Sequence, residues 1–518
     1  MSIISFRFLV FVLGLLIIYY IIPKKYRWTI LLLGSIIFYY LSSNKLILFV
    51  ILSTITIYLT GLILDKYNNK IKNIKSLNIS EEDKKKLKSK YKTKKKIYLF
   101  IGIIINIIYI ILTKYSGFVI DNINSILNLI NINYSFKISK ILLPLGISYY
   151  TLEAISYITD IYREKYDATK NIFKLALFLM YFPKIIEGPI SRFDTMSKEF
   201  FESKKIDFNN MLIGLDLIIF GLFKKMVIAD RAGIFVNNIF DNNYGGITNI
   251  MAMILYTIQI YAEFSGCIDI VRGVSLLFNV RLPINFKRPF FAKNIQEFWR
   301  LWHISLGNWI KEYVFYPISF SKLNSNVCKF CKKIFNNYFY RFIYAAFPLL
   351  FVWLVNGIWH GASYKYVAYG MYYYIVMMIG LLFKPFTDKM LKKIKVNSKL
   401  LNIFQILRTF ILVVIGMTLF RASSIPEFYN MIINIFKSGN GLLEFGLVKI
   451  DFIILIITNL FILLVSIFEE TNKINIEKGF TNNVFIRSVI YTILIVTIVV
   501  FGIYGEGYDA SNFIYGAF

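Results

Sequence analysis

The sequence predicts an all-helical protein that crosses a lipid bilayer many times. Of its 518 residues, 57% are hydrophobic and only 17% charged, against about 45–50% and about 25% in soluble domains. The apolar residues form unbroken runs such as IYLFIGIIINIIYIILTKYSGF (97–118), close to the ~20 residues that match a bilayer core. The basic residues gather in short segments between those runs. Backbone groups in lipid are satisfied only in helices or closed barrels, and runs without alternation select helices.

Candidate spans fall at about 4–22, 27–41, 45–64, 97–118, 141–160, 171–190, 211–229, 250–279, 341–358, 364–384, 403–420, 449–468 and 484–504, so roughly 11–13 transmembrane or re-entrant helices are expected. The first, ISFRFLVFVLGLLIIYYIIP, lacks a small-residue cleavage site and an initial basic run, and reads as an uncleaved span. Residues 1–518 read as one integral membrane domain. Residues 65–96, with thirteen lysines against four acids, read as a basic cytoplasmic loop, or a short amphipathic helix lying on anionic lipid. Counting back three spans puts the N-terminus outside. Residues 281–340 begin with a stretch rich in Trp, Tyr, Arg and Lys, expected to form interfacial or re-entrant helices and a loop.

The formal net charge of +29 would suggest nucleic acid in a soluble protein. Its distribution between apolar blocks is instead the positive-inside pattern, with membrane lipid as the partner and no nucleic acid expected. Cys328 and Cys331 have C-x-x-C spacing in a basic loop, but neither a second pair nor a nearby His completes a zinc site. The chain has no G-x-x-x-x-G-K-[ST] loop, G-x-S-x-G elbow or H-E-x-x-H helix, which argues against nucleotide hydrolysis, the serine-hydrolase elbow and the commonest zinc proteases.

Only two histidines are present, His303 and His360. His360 ends an apolar span between Gly357 and Gly361, whose missing Cβ atoms permit close approach. A neutral His there can take a proton from a hydroxyl, as acyl transfer requires; bonding to a neighbouring helix is the other reading of the same residue. His303, in EFWRLWHISLGNW, suits an orienting role, or that of an interface histidine beside Trp. Two His are a poor metal set, although Glu297 or Glu187 could complete one. A proton relay through Glu153, Asp160, Glu187, Glu263 and Asp269 also stays open, since ionisable groups at membrane depth persist mainly for function.

The strings FWRLWHISLGNWIKEYVFYPI (298–318) and NGIWHGASYKYVAYG (356–370) closely resemble the membrane-bound O-acyltransferase family, in its bacterial alginate and peptidoglycan O-acetylation and teichoic-acid D-alanylation branch. PLGISYYTLEAISYITDIYR (144–163), FPKIIEGPISRF (182–193), GLFKKMVIADR (221–231), IQIYAEFSGCIDI (258–270), RLPINFKRPF (281–290), LFRA (419–422) and FIYGAF (513–518) extend the likeness over nearly the whole chain. It implies helices ringing a thinned, funnel-shaped centre in the bacterial cytoplasmic membrane. It also implies acyl transfer from a cytoplasmic thioester, acetyl-CoA or an acyl-carrier protein, with no tightly bound cofactor. The acceptor would be a hydroxyl of an extracytoplasmic cell-wall or surface polysaccharide, reached through a partner protein. LFRA and FIYGAF tilt the acyl group toward acetyl, with D-alanyl transfer to teichoic acid the alternative and a transporter or flippase the alternative of another class. His360 matches the W-H-G histidine taken as catalytic, and His303 the W-H-x-S histidine. Asn356, Trp359, Trp302, Trp299 and Ser305 are the expected substrate-contacting residues. The chain departs from the family where Gln is usual at Glu153 and Lys184, Asp at Glu263, Arg-Asp at Lys311-Glu312, and His at Tyr373.

Overall fold

The computed structural model describes residues 1–132, 134–137, 143–202, 205–242, 244–334, 337–394, 397–437, 447–471 and 473–504. Among them the backbone is helical almost throughout, and the only β pairing is an isolated antiparallel bridge between Phe286 and Trp302. Eight stretches are long and apolar enough to cross a bilayer: Lys24–Ser76, Glu81–Leu129, Gly246–Leu277, Tyr338–His360, Tyr364–Leu391, Ser398–Arg421, Lys449–Glu470 and Val484–Phe501. Phe6–Ile21 is a shorter apolar helix. The chain is therefore an all-helical, multi-pass membrane protein. Helices apolar all round suit this setting, with one face on protein and the other on lipid; Ile453, Ile456, Ile457 and Leu460 are half or more exposed on one such helix.

The first of two compact units comprises Met1–Gly214 and Val274–Pro283. Its helices are α1 (Phe6–Ile21), α2 (Arg27–Ser43), α3 (Ile47–Asn73), α4 (Glu81–Ile110), α5 (Ser116–Leu129), α6 (Ile147–Tyr162), α7 (Ile172–Met180) and α8 (Phe193–Phe201). The second comprises Leu215–Gly273 and Ile284–Phe518. It contains α10 (Asp230–Asn242), α12 (Ile295–Leu301), α13 (Ile304–Ile310), α14 (Tyr316–Ser319), α15 (Lys322–Ile334), α16 (Asn337–His360), α17 (Tyr364–Ile394), α18 (Ser398–Arg421), α19 (Ile425–Asn434), α20 (Lys449–Glu470) and α21 (Val484–Phe501). Helices α9 (Phe208–Leu222) and α11 (Gly246–Leu277) each contain a junction between units.

Three local expectations need correcting. The basic segment 65–96, read as a loop or a short amphipathic helix, is mostly helical, but as the ends of two long helices rather than a separate short one. Helix α3 runs on to Asn73 and α4 begins at Glu81. Ser80 caps α4 through the Asp83 N–H at 3.1 Å, and Glu81, Glu82 and Asp83 place negative charge at its positive end. The predicted span 171–190 is a nine-residue helix, α7, followed by irregular backbone in which Pro183, Gly188 and Pro189 prevent continuation. Cys328 and Cys331 lie in a helix, α15, whose buried face also carries Asn324.

In the first unit the Pro-x-Gly break before α6 has a steric cause. Gly146 sits at φ 70°, and a Cβ there would collide with the Ile185 carbonyl oxygen. Nearly two turns into α6 is Glu153, 3% exposed. Its carboxylate accepts from the Lys184 ammonium and from the Ser191 N–H at 2.8 Å. Two apparently separate departures from the family are thus one ion pair. Deleting one partner of a buried pair costs about 3–5 kcal/mol because the other charge is left bare. Lys184→Gln should therefore lower the unfolding midpoint in detergent sharply, and adding Glu153→Gln should recover most of the loss. A double variant no more stable than Lys184→Gln would refute the pairing.

Candidate functional site

The site grows from residues 285–303 of the second unit, where irregular backbone flanks the short helix α12. His303 links α12 to α13 with φ 47° and ψ 52°. That left-handed conformation costs a non-glycine residue about 1–3 kcal/mol and needs support from its surroundings. Asn285 supplies it. Its backbone carbonyl accepts the Ile304 N–H at 3.0 Å. Its Oδ1 accepts the Ser305 N–H at 2.9 Å and lies 3.3 Å from His303 Nδ1. Two amides left open at the start of α13 are thereby satisfied. The Phe286–Trp302 bridge and the bond from Lys287 N–H to the Leu301 carbonyl, 3.0 Å, hold the two strands of backbone together.

This network fixes the His303 tautomer. The atom receiving the Ser305 N–H has to be the Asn285 oxygen, so the ring nitrogen facing it has to be the protonated one. Nδ1 carries the hydrogen and Nε2 the lone pair. Burial pushes the imidazole down to about 3, which keeps it uncharged at neutral pH. The Asn285 Nδ2 group is buried and has no protein acceptor among the described residues.

His360 closes α16 and is 3% exposed. Gly357 and Gly361 do permit a close approach there, and Tyr366 makes it: a Cβ at either glycine would strike Tyr366. The His360 ring packs edge-on to Phe420 at 5.1 Å and Tyr369 at 5.7 Å. Trp359 joins the two histidines, its ring centroid 5.7 Å from His303 and 5.0 Å from His360. His303 also meets Phe264 at 4.9 Å. Buried Asn356 lies four residues before His360, on the same face of α16.

Of the expected residues, His303, Trp359 and His360 form one continuous ring system, and Ser305 joins it through Asn285. Trp302 and Trp299 serve the adjoining aromatic core. Trp302 packs on Phe286, Phe290, Phe298 and Tyr261, and Trp299 on Trp353 and Tyr373. Tyr373, standing where the family often has His, is a fully buried member of that core. Sequence reasoning missed Asn285. Its only signal was a polar residue between Ile284 and Phe286 in a matched string. Glu297 caps α12, accepting the Lys293 N–H at 2.8 Å, and Glu187 belongs to the first unit. Among the described residues no three His, Cys, Asp or Glu side chains gather as metal ligands.

With two histidines in the chain, an imidazole-labelled sample should give two ring systems by NMR. His303 should appear as the Nδ1–H tautomer and not titrate between about pH 5 and 8, and Asn285→Leu should abolish that preference. The sign of the pH effect follows. The native ring refuses a proton that the unfolded chain takes below about pH 6.5, so its contribution to stability falls as pH drops from about 6.5 toward 3. A His303 resonance titrating near pH 6.5 in the wild type would contradict the arrangement.

Comparison with known proteins gives the chain a family. Residues 36–329 match the model of the membrane-bound O-acyltransferase family. The chain is 30% identical to the peptidoglycan O-acetyltransferase of Helicobacter pylori over 323 residues, 57% of each protein. It is 30% identical to the probable alginate O-acetylase AlgI of Pseudomonas aeruginosa over 346 residues, 66% of this chain and 61% of that one. It is 29% identical to the teichoic acid D-alanyltransferase of Bacillus subtilis over 255 residues, 47% of this chain and 60% of that one. The matched regions thus span about three-fifths of these relatives. With more than half of its residues matched by the family model, the chain belongs to the membrane-bound O-acyltransferase family.

Proposed function

We propose that the protein is a membrane O-acyltransferase. It moves an acetyl group from a thioester donor on the cytoplasmic side to a hydroxyl of an extracytoplasmic cell-wall or surface polysaccharide, through a partner protein, in a bacterial plasma membrane. The observation that carries this reading is the pair of buried histidines on either side of one indole, each in its family string. In the step proposed, the acceptor hydroxyl attacks the thioester carbonyl as His360 takes its proton. Collapse of the tetrahedral intermediate breaks the C–S bond, and the proton passes to the leaving thiolate. His303, its lone pair fixed on Nε2, positions the acyl thioester or the acceptor, and the Asn285 Nδ2 group is a spare donor beside it. Acetyl is favoured over D-alanyl because matches to the O-acetylating relatives reach 57–67% of this chain, against 47–49% for the D-alanyltransferases. A transporter reading loses support because four carboxylates of the imagined relay each face a lysine: Glu153 with Lys184, Asp160 with Lys165, Glu263 with Lys225 and Asp269 with Lys224.

Removing a general base costs about 10²–10⁴-fold in rate. His360→Ala should therefore reduce surface acylation at least a hundredfold while the protein stays membrane-inserted and folded. Wild-type acylation in that variant would refute the assignment. Base-released acyl groups from wild-type and deletion cell walls, identified by mass, should differ in acetate. A difference confined to D-alanine would move the protein to the other branch.

A further inference from the structure

The second unit contains a cleft of about 560 Å³ that the proposed chemistry does not use. Its walls come from α11, α18 and α20, and one end is closed by the segment Arg288–Phe291. The lining is almost wholly aliphatic and aromatic, including Ile254, Ile258, Phe410, Leu455 and Leu463. On α11 it extends from Met251 to Ala262 and on α20 from Phe452 to Ser466, about 17 and 21 Å at ~1.5 Å per residue. One leaflet of a bilayer core is about 15 Å deep. The cleft therefore has the length of a single membrane-embedded hydrocarbon chain.

Its two ends differ in charge. At the far end lie Phe452 and Met251. At the near end Arg288 lines the cavity, with its backbone at φ 49°. Arg288 meets Glu470 through Nε at 3.1 Å, and its side chain is 18% exposed. Exposed Lys287 and Lys293 flank it in sequence, and Arg408 donates to the Lys293 carbonyl at 2.9 Å, bringing a further cation to this end. Against these four cations stand Glu470, its neighbour Glu469, which accepts the Ile476 N–H, and Glu297, which is engaged as a helix cap. An apolar slot one leaflet long with a net positive rim matches a lipid with a negative head.

We propose that this cleft is a binding site for one acyl chain of an anionic phospholipid, its headgroup phosphate held by Arg288 and the neighbouring Lys293. The cleft is divided from the acyl-transfer residues by Tyr261 and Phe290, which line it and pack on Trp302. A basic residue near an anionic headgroup contributes about fivefold in affinity.

The test uses full-length protein in nanodiscs of phosphatidylglycerol and phosphatidylcholine mixed equally, with bound lipid counted by native mass spectrometry after release. Wild type should retain phosphatidylglycerol over phosphatidylcholine by about tenfold or more. Arg288→Gln should cut that preference about fivefold at unchanged total lipid. Asn459→Phe, which fills the cleft from α20, should lower retention of both lipids while the unfolding midpoint confirms a folded protein. Equal retention of the two lipids by wild type, an unchanged preference in Arg288→Gln, or undiminished lipid in folded Asn459→Phe would each overturn the proposal.

Discussion

A charge withdrawn from water inside a membrane-spanning chain has no solvent to fall back on, so an opposite charge has to stand within reach. That constraint organises both units. Glu153 is held by Lys184 and the Ser191 amide. Lys225 lies between Asp230 and Glu263, at 2.7 and 3.3 Å, while the adjacent Lys224 turns to Asp269. Both lysines lie in the π-helical turn Phe223–Ala229 that follows α9, where the widened backbone lets two consecutive long side chains point inward. Buried Asp216 accepts from the Phe480 amide and the Tyr491 hydroxyl and faces Arg487. These pairs tie helices remote in sequence to one another without any aqueous layer between them.

The proposed site follows the same logic on a smaller scale. A histidine buried away from water is tolerable only if neutral, and a neutral histidine is useful only if its proton sits on the correct nitrogen. Asn285 settles the second point for His303 by offering one oxygen to both an amide and the ring. His360 is held by different means, against Phe420, Tyr369 and Trp359. The two imidazoles therefore stand in unlike surroundings although a single indole touches both.

Much of this was legible in the sequence. Continuous apolar runs marked every long helix, because a helix in lipid needs no polar face. The Pro-x-Gly break before α6 and the two histidine strings were legible for a similar reason, since each depends on a residue type that few others can replace. Contacts between distant residues were not legible. Glu153 and Lys184 read as two isolated substitutions because their pairing depends on how the irregular segment after α7 folds back. Asn285 was overlooked because its role rests on backbone geometry at residues 303–305. The basic segment 65–96 looked like a loop because charge density hides helix propensity, although Lys, Glu and Leu are good helix formers. Trp299 and Trp302, expected as substrate contacts from their string, pack in the core beside His303, an arrangement that depends on residues far away in sequence.

The Glu153–Lys184 pair also constrains how this chain could be recombined with its relatives. Its two halves lie 31 residues apart, on α6 and in the segment beyond α7. A hybrid gene joined between those positions would inherit one charge and lose the other, whichever parent contributed the N-terminal part. Drift from an amide pair to an ion pair faces the same obstacle, because each single step strands a bare charge in the protein interior. The exchange is passable only as a near-simultaneous double change, so residues 153–184 behave as one heritable block.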